Sequence, residues 1–475
     1  MQKSVKHNFA INVSNQILSL VTPFITTPYV SRILQADGIG RFSYADSIVA
    51  YFVLFASMGI GLYGQREISY CQDDREKRSK VFWEIKLLSF VFSLFSLVLY
   101  LFFAANQTDR SLYLILSIEV VSCVIDVEWL YNGVEDFSTA TICNCILKVL
   151  GIVFLFLFVK DKSDFYLYVM ERIGVPFLVG LFLFLRLPKY VDLPKTLEMK
   201  PIRHLLGILS LFVPKIAIYI YNYLDKTMIG LITKDAVQNG CYEQAIAIPR
   251  MILTLVSALG YVVMSRVGGY VAEKNEEKIK ATVYSSCRFV WFLVVPLSLG
   301  VSAISESFVS WFFGSGYELV VPLLRILSLI IIFIGISNVT GIQYLITIGK
   351  QKYYTISVFA GCCLNVTLNA LLIPIYGAIG AAIASLAAEM MVDFVQLFFV
   401  RKELSISRIL GSGVRYFLGG LLMYVVVSFI GSFLEPKLLN TLILVFTGAL
   451  VYFLFLAIIK DDMLKAFFSK EKDIV

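Results

Sequence analysis

Residues 438–459 read LLNTLILVFTGALVYFLFLAII, 22 positions without a charged side chain. A helix crosses the hydrocarbon core of a bilayer with about 20 mainly apolar residues, so this stretch predicts a membrane span. Runs of the same kind, bounded by charges or Gly/Pro clusters, fall at 8–33, 42–65, 82–104, 111–131, 139–160, 164–188, 205–232, 241–266, 284–306, 320–347, 354–374, 377–400, 412–433 and 438–460. They predict helices, because backbone exposed to lipid must bond within its own segment. The ten-residue alternation of a membrane barrel is missing. Composition agrees: the 475 residues are 58% hydrophobic and 16% charged, where soluble domains carry about 25% charged residues. The expected fold is an all-α polytopic membrane protein of about 14 transmembrane helices. Its connections are too short to house a soluble catalytic domain.

Basic residues set the expected orientation. With the N-terminus inside, 27 of the 41 lysines and arginines fall in cytoplasmic segments, 7 in outer segments and 7 within spans. That bias predicts both termini in the cytoplasm and explains the net charge of +7 without nucleic acid. An internal repeat appears as well. Gly40-Arg-Phe42-Ser-Tyr-Ala45 follows the first run, and Gly240-Cys-Tyr242-Glu-Gln-Ala245 follows the seventh, an offset of 200 residues shared by Arg66 with Arg266 and Lys80 with Lys280. Two parallel six-helix repeats follow. The expected domains are an N-terminal lobe, 1–195, a C-terminal lobe, 196–400, and two further helices with a cytoplasmic tail, 401–475.

Several chemistries are excluded. The two histidines, His7 and His204, lie in polar flanks and leave no catalytic triad or zinc site. The eight cysteines form no CxxC pair and read as small apolar packing residues. Asn12, Asn15 and Gln16 interrupt the first apolar run and no small-residue cleavage site follows, so the N-terminus reads as a span, not a cleaved signal. No G-x-x-x-x-G-K-[ST] loop occurs, so nucleotide hydrolysis is not expected. The chain is read as a non-enzyme with no cofactor and no metal.

Ionisable groups inside a bilayer cost about 2.5–3.5 kcal/mol each on insertion scales and face a bundle interior or a wet cavity. In the seventh run Lys215, Tyr219, Asn222 and Lys226 follow spacings of 4, 3 and 4 and share one helical face. Lys215 lies deep in the span; it lines a cavity or makes an interhelical ion pair. Arg250 in the eighth run has the same two readings. Glu119, Ser122 and Asp126 share a face of the fourth run, with Lys148, Glu171 and Arg172 on neighbouring runs to neutralise them. Asp46 and Asp225 sit toward the outer leaflet, and Asp225 is either a local partner of Lys226 or a coupling carboxylate. Glu389 and Asp393, one turn apart, read as packing groups. Pro23 and Pro28 predict bends in the first span.

The N-terminal run N-F-A-I-N-V-S-N-Q, the stretch T-P-F-I-T-T-P-Y-V-S-R-I-L-Q-A-D-G-I-G-R-F-S-Y-A-D-S-I-V and the later G-I-G-L-Y-G-Q-R-E-I resemble the Wzx-type polysaccharide repeat-unit flippases of the MOP superfamily. Beyond residue 90 or so the resemblance is one of span pattern. The family signature falls on Pro23, Pro28, Tyr29, Arg32, Gly38, Gly40 and Tyr44. Many members carry leucine-glycine where this chain has Gln35-Ala36, a departure expected to alter only the turn. The resemblance implies a two-lobed transporter with a cavity lined by the first, second, seventh and eighth spans. It also implies transfer of undecaprenyl-pyrophosphate-linked oligosaccharide (O-antigen, capsule or a similar polysaccharide) from the inner to the outer leaflet of the bacterial plasma membrane. Arg32, Lys215, Lys226 and Arg250 would meet the pyrophosphate, and Asn15, Tyr219 and Asn222 the sugar hydroxyls. Asp46, Glu119, Asp126 and Asp225 are the candidates for ion coupling. A polysaccharide polymerase and a chain-length regulator are expected partners. The competing readings are a drug or cation exporter of the same superfamily, which would favour acidic cavity residues, and a membrane-embedded glycan polymerase, which would carry acid or base groups on a long outer loop.

Overall fold

The computed structural model describes residues 5–193 and 199–468, with no strand among them. Each of the 14 expected runs is helical, the second, fourth and tenth being divided among successive helices. Among the described residues ten stretches are long and apolar enough to cross a membrane by themselves, and one of them, Val21–Ser69, holds the second run and half of the first. The fourth run is a shorter helix of 16 residues followed by a second short one, and the seventh and eighth are helical throughout. The chain forms two compact units, Met1–Thr227 and Met228–Val475.

The first unit begins with α1 (Val5–Ser57), a 53-residue element broken at Gln35, whose φ of 56° and ψ of 178° are not helical. The loop expected at 34–41 is therefore a single-residue break. Leu34, Ala36 and Ile39 on either side of it are buried, so resuming the helix at once keeps their apolar face packed. A second break comes at Met58 (φ 37°) before α2 (Ile60–Ser69). There the helix that begins at Leu205 crosses so closely that a Cβ on Gly59 would sit 2.5 Å from the Ile208 carbonyl oxygen. α3 (Arg75–Ala105) and α4 (Arg110–Ile125) start under the carboxylates of Asp74 and Asp109, which accept from the Lys77 and Leu112 amides. α5 (Glu128–Gly133), α6 (Phe137–Phe158), α7 (Phe165–Leu185) and α8 (Leu205–Thr233) follow. Their core joins Tyr63, Ile68, Phe82, Trp129, Leu183 and Ile208, with the Phe82 and Trp129 rings stacked 5.2 Å apart.

The second unit holds α9 (Ala236–Ala272), α10 (Glu276–Phe312), α11 (Val320–Leu327) and α12 (Ile330–Ser337). A wider π-helical segment, Asn338–Ile346, completes the tenth run. α13 (Gln351–Tyr376) and α14 (Ala378–Val400) form a hairpin about Gly377, whose φ of 57° suits a residue without a Cβ. α15 (Ile406–Gly411), α16 (Val414–Gly431), α17 (Leu438–Ile458) and α18 (Asp462–Phe468) end the described chain. The last helices are part of this core. The Tyr452 hydroxyl on α17 donates to the Phe292 carbonyl of α10 at 2.9 Å, and Asp461 meets Arg415 at 2.7 Å and Arg288 at 3.3 Å. The repeated motif occupies equivalent ground in both units: Phe42 and Ala45 are buried in the first, Tyr242 and Ala245 in the second.

Candidate functional site

The first unit gathers charge inside its helices, starting where helices stop. The last carbonyls of a helix have no partner within it, and a cation is favoured at that end. α1 stops at Ser57, and there the Lys215 ammonium donates to Ser57 Oγ and to the Met58 carbonyl, both at 2.8 Å. α4 stops at Asp126, and there Lys86, only 6% exposed, donates to the Asp126 carbonyl at 2.7 Å. Asp126 has extended φ/ψ and its carboxylate accepts from the Glu128 amide at 3.0 Å. The expected face of Glu119, Ser122 and Asp126 is therefore broken, because the helix ends at Ile125 and turns Asp126 out of register. Asp126 remains the carboxylate whose charge acts on both Lys86 and Lys215. One lysine thus caps the end of α1 and the other the end of α4.

A second group forms one helical level away. The charges acting on Glu119 of α4 are Asp46 of α1, of like sign, and Arg172 of α7, of opposite sign. Tyr219 of α8 faces the same two acids. Two of the four expected coupling carboxylates, Asp46 and Glu119, therefore feel each other's charge, and Arg172 opposes it at Glu119. A third group occupies the end of α8 within this unit. Asp225 and Lys226 are buried, Thr227 Oγ1 bonds to Ser47 Oγ at 2.9 Å and lies 3.2 Å from the Tyr51 hydroxyl, and Lys226 lies 5.5 Å from the centre of the Tyr223 ring. α8 is continuous through Lys215, Tyr219, Asn222 and Lys226, so the predicted spacing along one face is kept. Arg32 is exposed on α1. Arg250 is exposed on α9 and belongs to the second unit. The side chains of Asn12 and Asn15 lie outside the described residues.

Sequence reading missed Lys86 and the ring around Glu84. Glu84 is fully buried. It accepts from the Lys200 amide at 2.9 Å and from Arg203 at 2.5 Å, and meets His204 Nε2 at 3.0 Å. His204 Nδ1 lies 2.8 Å from the Tyr63 hydroxyl. His204, expected in a polar flank, is 3% exposed: the segment entering α8 folds back on α2 and α3 and carries the imidazole inside. The signal was present, since Glu84 and Lys86 interrupt the third run, but the groups they meet, the His204 imidazole and the Asp126 carbonyl, are 120 positions and 40 positions away.

In the second unit the buried polar groups are chiefly amides and hydroxyls. Gln396 accepts from Thr340 at 2.6 Å and donates to Ser357 at 3.1 Å. Gln343 accepts from Ser286 at 2.7 Å and donates to Asn338 at 3.2 Å. Asn365, Asn369, Ser385 and Tyr242 continue the series. Glu389, Asp393 and Asp461 are the buried acids of this unit among the described residues, and Asp461 is held by Arg415 and Arg288. All eight cysteines are free thiols, five of them buried among apolar groups, as the packing reading requires. Among the described residues no cluster of His, Cys, Asp or Glu is suited to a metal.

Each unit clamps one carboxylate outside its spans. Partial burial pushes the Asp109 carboxyl upward, but Arg41 at 2.6 Å, the Leu112 amide and the Tyr166 hydroxyl at 3.0 Å outweigh this and hold it below the usual range. Burial also pushes Glu403 upward, and there the Lys350 ammonium and the Tyr344 hydroxyl prevail.

Comparison with known proteins agrees with this picture. A model of the family described as polysaccharide biosynthesis protein matches residues 5–266. A protein of Escherichia coli (strain K12) assigned as an O-antigen transporter is 24% identical over 423 residues, covering 85% of this chain and 97% of its own. Among solved structures, the lipid II flippase MurJ in an inward closed conformation superposes with a TM-score of 0.74 over 96% of this chain and 99% of that one, at 17% identity. An inward-facing multidrug resistance MATE transporter of the MOP superfamily gives 0.60 over 83% and 98%, at 16% identity. These likenesses establish a shared fold. With its matched residues covering more than half of its length, the chain belongs to the polysaccharide biosynthesis protein family.

Proposed function

We infer that this chain is a flippase of lipid-linked glycan, working without a covalent step. More specifically, it moves undecaprenyl-pyrophosphate-linked oligosaccharide repeat units from the inner to the outer leaflet of a bacterial plasma membrane for surface polysaccharide synthesis. The family match and the O-antigen transporter likeness support the class of cargo. The observation that carries the mechanism is the first unit's set of membrane-embedded charges, with Lys215 and Lys86 feeling the charge of Asp126, and Asp46 and Glu119 each other's, opposed at Glu119 by Arg172. Cations suit a pyrophosphate. Paired carboxylates suit a proton or sodium ion taken up as the empty carrier resets. Lys215, Tyr219, Asn222, Lys226, Arg32, Asn15 and Arg250 are the substrate residues in this reading. Asp46, Glu119, Asp126 and Asp225 are its coupling residues. The lobes are 1–195 and 196–400 with 401–475 appended, both termini are cytoplasmic, and a polymerase and chain-length regulator receive the product.

The cytoplasm is electrically negative, so outward movement of a pyrophosphate runs with the field, at about 2.3 kcal/mol per charge per 100 mV. The test is transfer of lipid-linked oligosaccharide by the purified protein in liposomes. An imposed potential of the correct sign should accelerate it, and a proton or sodium gradient should add to that. Lys215→Ala should abolish transfer at near-normal abundance, with Lys215→Arg milder. Normal transfer by Lys215→Ala would remove the lysine from the site. Equal rates with and without both gradients would leave the acids a packing role. For orientation, a cysteine at Asp73 should resist an impermeant thiol reagent in intact cells and one at Ser315 should react; both positions are exposed.

A further inference from the structure

The first unit carries an apolar groove of about 460 Å³ between α6 and α7, on which the transport reading makes no demand. Ile142, Ile146, Leu178 and Leu181 form its walls, and Thr139 and Arg186 stand at one end. Ile142, Ile146 and Leu178 are 44%, 55% and 46% exposed, which for a span means exposure to lipid. On α6 the groove runs from Thr139 to Leu147, about 12 Å at the α-helical rise of about 1.5 Å per residue. One leaflet contributes about 15 Å to a hydrocarbon core of about 30 Å. The groove is therefore about one leaflet deep and closes near mid-membrane.

Its mouth is charged. Arg186 ends α7 with its guanidinium over the Phe182 ring at 5.3 Å, and no carboxylate among the described residues lies within ion-pair distance of it. Asp136 accepts from the Thr139 hydroxyl at 2.7 Å and from the Tyr190 hydroxyl. Lys189 donates to the same Tyr190 hydroxyl at 3.2 Å. Arg78 donates to the Tyr190 carbonyl at 2.7 Å, and Arg75, paired with Asp192, to the Pro188 carbonyl at 2.9 Å, so cations outnumber carboxylates at this end. An apolar slot of leaflet depth under a cationic mouth matches one hydrocarbon chain and an anionic headgroup.

We propose that the α6/α7 groove is a binding site for an anionic phospholipid of the surrounding leaflet, its acyl chain between Ile142, Ile146, Leu178 and Leu181 and its phosphate on Arg186. The experiment uses the full-length chain, delipidated in detergent, with phosphatidylglycerol, phosphatidylethanolamine or undecaprenyl phosphate added. Native mass spectrometry counts retained lipid, and thermal unfolding reports the gain in stability. Phosphatidylglycerol should bind about tenfold more tightly than phosphatidylethanolamine. Arg186→Gln should erase that preference, and Ile146→Trp, which fills the slot, should lower retention of both phospholipids. Melting without lipid checks that both variants are folded, and Leu178→Phe replaces Ile146→Trp if the latter is not. Equal binding of the two phospholipids, full retention by Arg186→Gln, or displacement of phosphatidylglycerol by equimolar undecaprenyl phosphate would each overturn the proposal. None of these outcomes bears on whether the chain flips glycan lipids.

Discussion

The two units spend their buried polarity differently. In the first, ionisable groups gather inside the helices: Lys86 and Lys215 at the ends of α4 and α1, Asp46 with Glu119 and Arg172, and the fully buried Glu84 among Arg203 and His204. In the second, Asp461 meets Arg288 and Arg415 beyond α17, but within the helices Gln396, Gln343, Asn365 and Asn369 bond to hydroxyls and to each other along α13, α14 and the π-helical segment. One copy of the motif, at 40–45 and at 240–245, lies in each unit, and the polar groups inside the two units still differ. A neutral amide network costs little to keep in a low-dielectric medium once every group is bonded. Charges cost more and persist where they perform work. On the transport reading proposed above, the difference directs the search for coupling groups to the first unit's charges and treats the second unit's amide network as a frame.

The hardest blow to this contrast should come at Glu84. Removing a buried carboxylate that holds an arginine, an imidazole and an amide typically costs about 3–5 kcal/mol, so Glu84→Ala should lower the melting temperature steeply and deplete folded protein from membranes. A small change would mean that the first unit's charges are not structural even where they are sealed. Next comes a matched pair. Gln396→Ala strips Thr340 and Ser357 of their partner and should destabilise by about 1–3 kcal/mol while leaving transfer per folded molecule intact. Glu119→Gln should do the reverse, with stability near normal and transfer depressed, especially the part driven by an ion gradient. If Gln396→Ala stops transfer in folded protein, the second unit is not merely a frame.

A smaller effect is expected at Gln35. Its φ of 56° with ψ of 178° lies in a region open almost only to glycine, at a cost of about 1–3 kcal/mol. Gln35→Gly should therefore raise the melting temperature modestly, less any contribution from the Lys162 contact to its side chain. The smallest effect is the acid limb shared by both units. Asp109 and Glu403 titrate lower folded than unfolded, so each stabilises fully above its unfolded value, about 4. That contribution is lost as pH falls through the lower folded value. Asp109→Asn and Glu403→Gln should each flatten the decline below pH 4, measured by thermal unfolding across pH. A decline unchanged in both variants would show that the two clamps contribute nothing.

Much of the site was legible because its signal is local. Lys215, Tyr219, Asn222 and Lys226 share a face through helical spacing alone, and α8 is unbroken across them. Asp46 and Glu119 stood out as charges inside apolar runs. Their meeting, 73 positions apart in the chain, was not legible, since nothing in either run specifies which helix it will pack against. Asp126 was misjudged because a helix was carried through a position where the chain turns, and the reason for that turn, a lysine on α3 waiting for the freed carbonyl, lies on another element.

By itself the sequence determined that this is a multi-span helical membrane protein, where its runs lie and which residues bring charge into them. Hydrophobicity, helical period and the cost of an unbonded backbone in lipid act over one segment at a time, so they can be read from one segment at a time. Only the tertiary structure decided that α1 breaks at Gln35 and again at Met58, that Lys86 and Lys215 cap two helix ends, and that His204 is drawn in to a buried glutamate. Those outcomes depend on which helices touch, and a buried charge or a freed carbonyl is satisfied by whatever group packing brings within about 3 Å.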